Sequence, residues 1–270
     1  MSPVTIMPRF LMGAALAAVL ALTPAAARAA GEAVNIPNHD FSFDGIFGTF
    51  DRASAQRGFA VYKAICSNCH SMRQLSYRHL RSLGLTEAQV NALASQFEVQ
   101  DGPNDNGEMF TRPARASDHF RRPFANDAAA RAANNGALPP DLSVIVKARE
   151  GGADYVRALL LGYEDPPEGV TVQPGMNYNK YFPGHQIAMA APIAADDQVE
   201  YTDGTPATVA QMATDITTFL SWAAEPELEA RRAMGVRMII FLTILGGLVY
   251  AVKKKVWANI GQHQGLGDGG

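Results

Sequence analysis

Cysteine is scarce in this chain: its 270 residues contain only Cys66 and Cys69. A structural zinc site wants four nitrogen or sulfur ligands, and the other histidines, His39, His79, His119, His185 and His263, show no paired ligand spacing to complete one. A thioredoxin-like dithiol would sit near a βαβ pattern, and none surrounds these two thiols. Strand signals are weak throughout and no internal repeat divides the chain. Basic excess is also missing. The formal charge is −3, so nothing in the composition points to a nucleic-acid partner.

What is present is the spacing of the two thiols. Cys66-Ser67-Asn68-Cys69-His70 is the Cys-x-x-Cys-His pattern of c-type haem attachment. Two thiols at that separation can each add to one of the two vinyl groups on a porphyrin edge, and the adjacent imidazole then falls beneath the iron as its proximal ligand. A redox dithiol or half of a zinc site remains the alternative for so short a pattern. On the haem reading one haem c is held per chain, with Cys66 and Cys69 as its covalent anchors and His70 as a metal ligand. Both thiols are then committed, and stability must come from the core and from the haem.

Both ends carry membrane signals. Residues 1–29 combine Arg9, an apolar stretch from Phe10 to Leu22 and a small-residue end, Ala27-Arg28-Ala29, which reads as a cleavable secretory signal; an uncleaved anchor is the alternative. Near the other end, Met238 to Val252 runs without a charge, and Ala233 to Val236 extend it. Arg237 lies close enough to one end to snorkel. About 20 such residues span a bilayer, and the alternative is a buried core helix. Lys253-Lys254-Lys255 follows, marking that end as cytoplasmic, with Tyr250 and Trp257 as interfacial anchors. The expected order is a signal at 1–29, an external haem domain at 30–226, a transmembrane anchor at 227–256 and a cytoplasmic tail at 257–270.

About 200 residues between these ends suffice for one compact domain. Removing Arg9 and Arg28 with the signal leaves 21 basic against 26 acidic side chains, a balance of −5. Acidic residues gather in Glu164-Asp165-Pro166-Pro167-Glu168 and at Asp196, Asp197, Glu200 and Asp203. Each cluster is either a solvated face or a docking surface that steers a basic soluble partner. The pattern predicts a mainly α fold with long loops plus one C-terminal transmembrane helix. A helix over Ala53–Ile65 delivers the chain to Cys66. Thr86-Glu87-Ala88-Gln89 is a capping box opening a helix with Val90 and Leu93 on one face. Thr205-Pro206 reads as the start of a helix whose apolar stripe is Val209, Met212, Ile216, Phe219 and Leu220, ending near Pro226. The stretches Glu98–Pro123 and Tyr163–Pro192 read as long ordered loops, lengths that usually carry function.

The second axial ligand separates an electron carrier from a haem that binds small molecules. Met189, in Gln186-Ile187-Ala188-Met189-Ala190-Ala191-Pro192, is an apolar-loop methionine just before the last helix of the domain. Spacing ranks it only modestly above Met176 and Met212, and Met212 is already explained by a helical stripe. His185 is the competing nitrogen ligand, and bis-His ligation would lower the potential relative to His/Met.

Further motifs resemble a known family. Ile187-Ala188-Met189 with Pro192, Ala133-Asn134-Asn135-Gly136-Ala137-Leu138-Pro139-Pro140-Asp141-Leu142-Ser143, Trp222-Ala223-Ala224-Glu225-Pro226, Phe41-Ser42-Phe43-Asp44-Gly45, Gly48-Thr49-Phe50-Asp51 and the span ending in Lys253-Lys254-Lys255 are together similar to the cytochrome c1 family, the haem subunits of cytochrome bc1 (ubiquinol–cytochrome c reductase) complexes. The resemblance covers essentially the whole mature chain and implies that the external domain is a class I cytochrome c-like haem domain. It implies Cys66 and Cys69 as thioether anchors, with His70 and Met189 as the two iron ligands. It places Asn134, Pro139 and Pro140 in the segment against the haem and Arg149 and Tyr155 near its propionates, where a guanidinium fork matches a carboxylate. From the residues alone, Arg149 would be a surface ion pair.

The family often has prolines after the ligand methionine, where this chain has Ala190-Ala191; that departure bears on the rigidity of the loop. The extra disulfide of some bacterial members cannot form here. The implied partners are cytochrome b, a Rieske iron–sulfur protein and a soluble c-type cytochrome, within a dimeric complex. The implied site is a bacterial inner membrane with the haem domain on the periplasmic face. The chain alone would then be an electron-carrying subunit rather than an enzyme. A membrane-tethered shuttle or oxidase-associated cytochrome, and a peroxidase-type haem enzyme, are the competing classes.

Overall fold

The computed structural model describes residues 34–258. The signal-sequence reading of residues 1–29 and most of the expected tail lie outside these residues. The described chain is mainly helical, in keeping with the expected fold class. Helix α1 is Arg52–Ala64, α2 Glu87–Ala94, α3 Asp127–Ala133, α4 Gly152–Leu161, α5 Val209–Ala224 and α6 Leu228–Trp257. Short 3₁₀ turns cover Cys66–Asn68 and Tyr77–Leu83.

Local chemistry sets where the helices begin. The Asp51 side chain accepts from the Ala53 and Ser54 amides at the head of α1. Thr86 and Gln89 form the expected reciprocal box before α2, whose Val90 is fully buried while Leu93 is half-buried. Helix α5 starts later than Thr205-Pro206 suggests. The Asp203 carboxylate takes the Thr205 amide at 3.0 Å, holding that segment in a turn. The first free amides of the helix instead go to Thr208 Oγ1, from Gln211 at 3.1 Å, and to Asp196, from Val209 at 2.7 Å.

Both stretches read as loops contain short antiparallel ladders. In the first, β1 (Glu98–Asp101) pairs with β2 (Phe110–Pro113); in the second, β3 (Asn177–Tyr178) pairs with β4 (Gln186–Ile187). The first is fastened by charge rather than by apolar alternation: Arg112 bonds Asp101 and reaches Asp118. That explains why the strand pattern is weak in the sequence.

The core forms where α1 crosses α5. A Cβ at Gly58 would lie 2.0 Å from the Asp215 carbonyl oxygen, so only glycine permits this approach. The Asp215 side chain is completely buried, yet its carboxylate accepts from Ser54 Oγ at 2.7 Å, Arg57 Nε at 2.9 Å and Gln211 Nε2 at 3.0 Å. The bonds of Arg57 to Asp215, first, and to Asp203 raise its pKa above the usual guanidinium value against the opposing effect of burial. Beside the crossing, Phe59, Tyr62, Phe120, Phe219 and Trp222 pack ring against ring.

Helix α6 stands apart from this core. Its 30 residues are long and apolar enough to cross a membrane, rising about 45 Å at 1.5 Å per residue, and its apolar side chains are exposed all round.

Replacing Asp215 with Ala leaves the Arg57 charge without its buried partner. Removal of one member of a buried pair costs about 3–5 kcal/mol, so Asp215→Ala should sharply lower the denaturant midpoint. Wild-type stability in that variant would show that the crossing does not depend on the carboxylate.

Candidate functional site

Helix α1 runs directly into the two-cysteine motif. The Ile65 amide still bonds the Val61 carbonyl, and the Cys66–Asn68 turn follows at once. Ser67 Oγ donates to the Lys63 carbonyl at 2.8 Å, and the Asn68 amide nitrogen donates to the Ala64 and Ile65 carbonyls. The Cys69 and His70 amides both return to the Cys66 carbonyl, at 3.2 and 2.9 Å. The turn is therefore braced by its own non-cysteine positions, leaving both thiols free. Cys66 is half-buried and Cys69 exposed. Burial pushes the Cys66 thiol up to about 12, so it rests as the protonated thiol.

His70 is fixed from a distant part of the chain. Its Nδ1 lies 2.8 Å from the Pro140 carbonyl oxygen. A carbonyl can only accept, so Nδ1 carries the proton and Nε2 keeps the lone pair a metal needs. Burial lowers the His70 pKa below its ordinary value, against the opposing pull of the Pro140 carbonyl and Asp141. The neutral imidazole is thereby favoured.

The Pro140 carbonyl is held in place by its neighbour. Asp141 accepts from Ser71 Oγ at 2.8 Å, the Arg73 amide at 2.9 Å and the Ser143 amide at 2.9 Å. The Leu142 amide donates to the Ser71 carbonyl at 2.8 Å. Burial alone would raise the Asp141 pKa, but the bonds from Ser143, Arg73 and Ser71 outweigh it and hold the carboxyl below the usual range. Residues 70–74 are thus laced to 140–143. Upstream, Asn134 Nδ2 donates to the Ala130 carbonyl at 2.7 Å, ending α3, and Asn135 takes a left-handed conformation at φ 51°. This turn leads to Pro139, which is half-buried.

Met189 is half-buried in a loop tied down by its backbone. Its carbonyl accepts from the Tyr163 hydroxyl at 3.1 Å and from Asn177 Nδ2 at 3.3 Å. Asn179, fully buried, bonds the Leu159 carbonyl at 2.8 Å and receives the Tyr181 amide at 3.0 Å. The loop therefore hangs from the C-terminal end of α4. Met212 lies fully buried in the core, where packing accounts for it. Met176 is half-buried in a turn closed by its own amide on the Gln173 carbonyl. His185, at φ 57°, stacks on Tyr178 with ring centroids 5.8 Å apart and keeps a buried Nδ1 without a partner.

Arg149 is exposed and bonds only the Ala148 carbonyl, at 3.0 Å, with no ion pair among the described residues. Its charge nonetheless pulls down on the hydroxyl of buried Tyr155, whose pKa burial raises. The two lie within electrostatic reach, and the surface ion pair suggested by sequence is not formed. A separate cavity of about 140 Å³ borders the motif between Phe59, Ser67, Tyr77 and Phe120. Neither cysteine, His70 nor Met189 lines it.

The structure therefore brings together His70 with Pro140, Met189 with Tyr163 and Asn177, and Arg149 with Tyr155. Tyr163, Asn177 and Asp141 escape a reading of the sequence: each acts on a backbone group, and Tyr163 lies 26 positions from Met189. Two free thiols, an imidazole with Nε2 unprotonated and a tethered thioether fit the donor set of a covalently attached haem.

The chain matches the Cytochrome C1 family over residues 41–260. "Cytochrome b/c1" of Bradyrhizobium diazoefficiens is 50% identical over 245 residues, 83% of this chain and 36% of that protein; the chain thus spans little more than a third of that relative's length. "Cytochrome c1 2, heme protein, mitochondrial" of Arabidopsis thaliana is 50% identical over 235 residues, covering 87% of this chain and 76% of its own. The Saccharomyces cerevisiae "Cytochrome c1, heme protein, mitochondrial" is 50% identical over 240 residues, covering 88% and 77%.

Removing the Tyr163 hydroxyl takes away one bond worth about 1 kcal/mol. Tyr163→Phe should raise amide exchange in the 186–191 loop about five-fold, with global unfolding almost unmoved. Unchanged exchange there would mean that Asn177 alone holds the loop.

Proposed function

The chain belongs to the cytochrome c1 family, and from that premise we propose that it carries one covalently bound haem c and passes single electrons from a Rieske iron–sulfur protein to a soluble c-type cytochrome. Cys66 and Cys69 anchor the group; His70 and Met189 ligate its iron. When bound, the haem supplies a one-electron couple whose potential follows its axial ligands and burial.

The observation that carries this reading is the attachment turn itself. It presents two unpaired thiols beside an imidazole whose tautomer is fixed by the Pro140 carbonyl at 2.8 Å. A fixed imidazole and a tethered methionine loop keep ligand geometry the same in both oxidation states. With His70 and Met189 both holding the iron, this chain's residues would not be asked to break bonds or move substrate protons. Arg149, free of any carboxylate, is available to offset a propionate charge.

Both acidic clusters are exposed. Glu164 already pairs with Lys180 and Asp203 with Arg57, whereas Asp165, Glu168, Asp197 and Glu200 have no cation within bonding distance among the described residues. This remaining negative surface steers a basic carrier to the haem domain. Helix α6 anchors the chain, with the haem domain on the periplasmic side of a bacterial inner membrane and cytochrome b beside the span, in a dimeric complex.

The test is a redox-titrated visible spectrum of the detergent-solubilised chain and of Met189→Leu. The wild type should show the weak sulfur-to-iron charge-transfer band at the red end in its oxidised form. In the variant that band disappears, ferrous iron binds carbon monoxide, and the midpoint falls on the order of a tenth of a volt, within the roughly 0.8 V that axial ligands span. An unchanged band and midpoint would remove Met189 from the iron. Hydrogen peroxide turnover by the wild type would favour the peroxidase-type class.

A further inference from the structure

Outside α6, the most exposed large apolar side chains among the described residues are Phe47 at 77% and Ile46 at 71%, both above Ile239, the most exposed of α6 at 68%. They form the tip of a loop closed by the Thr49 amide on the Ser42 carbonyl at 3.0 Å. The base is stiff, because Phe41 stacks on Phe43 at 4.9 Å and Phe43 packs on Phe50 at 5.1 Å. A rigid base presenting two bare apolar side chains is costly in water and calls for a cover.

The direction of the loop identifies that cover. Glu229, in the first turn of α6, accepts from the Phe50 amide at 2.8 Å and from Arg52 Nη1 at 3.0 Å. One turn further along, Arg232 Nη1 donates to the Gly48 carbonyl at 2.7 Å and the Phe43 carbonyl at 2.8 Å. As the segment is followed from Arg52 to Phe50 to Gly48, its partners advance along α6 by three residues, about 4.5 Å, toward the apolar run that opens at Ala233. Phe47 and Ile46 continue that path. The tip thus reaches the level at which the span begins, with Arg232 at the head-group layer beside it.

We propose that this loop is a second membrane contact of the chain: Ile46 and Phe47 insert into the boundary between lipid head groups and acyl chains, next to the point where α6 enters. The inference rests on α6 being the membrane anchor. The bonds at Glu229 and Arg232 fix the domain to α6, but one span can still tilt and rotate within the bilayer; a second contact a short distance from its axis restrains both.

The test places a photoreactive benzophenone amino acid at Phe47 in the full-length holoprotein in its native membrane. The same residue at Leu245, in the middle of α6, and at Phe110, on the β1–β2 hairpin, provide the two references. After irradiation, covalent adducts are identified by mass spectrometry, and retention of covalent haem reports that each variant has folded. Lipid adducts at 47 and 245, with none at 110, are expected. Lipid adducts at 245 without any at 47 would overturn the inference and leave the anchor standing. A polypeptide adduct at 47 would assign the tip to a protein partner, also overturning it, and release of the chain from the membrane by alkaline carbonate would remove the anchor itself.

Discussion

One carboxylate holds the two ends of this molecule in register. Asp215, with no exposed surface, takes hydrogen bonds from Ser54 and Arg57 on α1 and from Gln211 on its own helix. A buried charge survives only when its lone pairs are so occupied, so the two helices are confined to a narrow range of rotations and translations. The missing Cβ at Gly58 lets their backbones meet. From that crossing α1 continues into Cys66, while α5 leads through Glu225 and Pro226 into α6. The attachment turn and the membrane helix are thereby built out from the same fixed point.

The His70 side of the molecule depends on a second carboxylate used in the same way. Asp141 does not touch His70, yet its bonds to Ser71, Arg73 and Ser143 hold the Pro140 carbonyl where Nδ1 needs an acceptor. The orientation of the imidazole is in this way carried by backbone geometry. The Met189 side follows the same logic, with Tyr163 and Asn177 gripping a main-chain oxygen and leaving the side chain alone. The alanines at 190 and 191, exposed and without the stiffness of proline, are tolerated because the anchoring sits one residue earlier.

This arrangement explains which parts were legible beforehand. The Cys66–His70 motif, the apolar C-terminal run and the Thr86–Gln89 box are contiguous patterns, and at those positions the structure has a tight turn, a 30-residue helix and a reciprocal cap. Helix α4 gave no such signal: its N-cap is Gly151 in a left-handed conformation, φ 80°, with no side chain to cap it. The Thr205-Pro206 start failed because Asp203 holds Thr205 in a turn through its own amide while Thr208 caps the helix, a choice a motif cannot reveal. Arg149 resembled any surface cation until its lack of a carboxylate was seen. Tyr163, Asn177 and Asp141 were invisible because their value lies in which distant carbonyl or amide the fold brings to them.

The strength of the link between haem domain and membrane helix follows from how many independent bonds cross it. Arg52 and Phe50 meet Glu229, and Phe43 and Gly48 meet Arg232. Lys147 and Arg231 meet Glu225 at the joint between α5 and α6. Burial would raise the Glu229 pKa, but its bonds to Arg52 and to the Phe50 amide hold it below the usual range, so the carboxylate stays charged well into mild acid. A single covalent connection at Pro226 would let the domain swing through a wide cone. With α1 itself tied to α6 through Arg52, motion of the span is delivered to the helix that carries Cys66. The cysteine turn therefore inherits its orientation to α6 from the Arg52–Glu229 fork, a bidentate pairing that adds geometric specificity to charge.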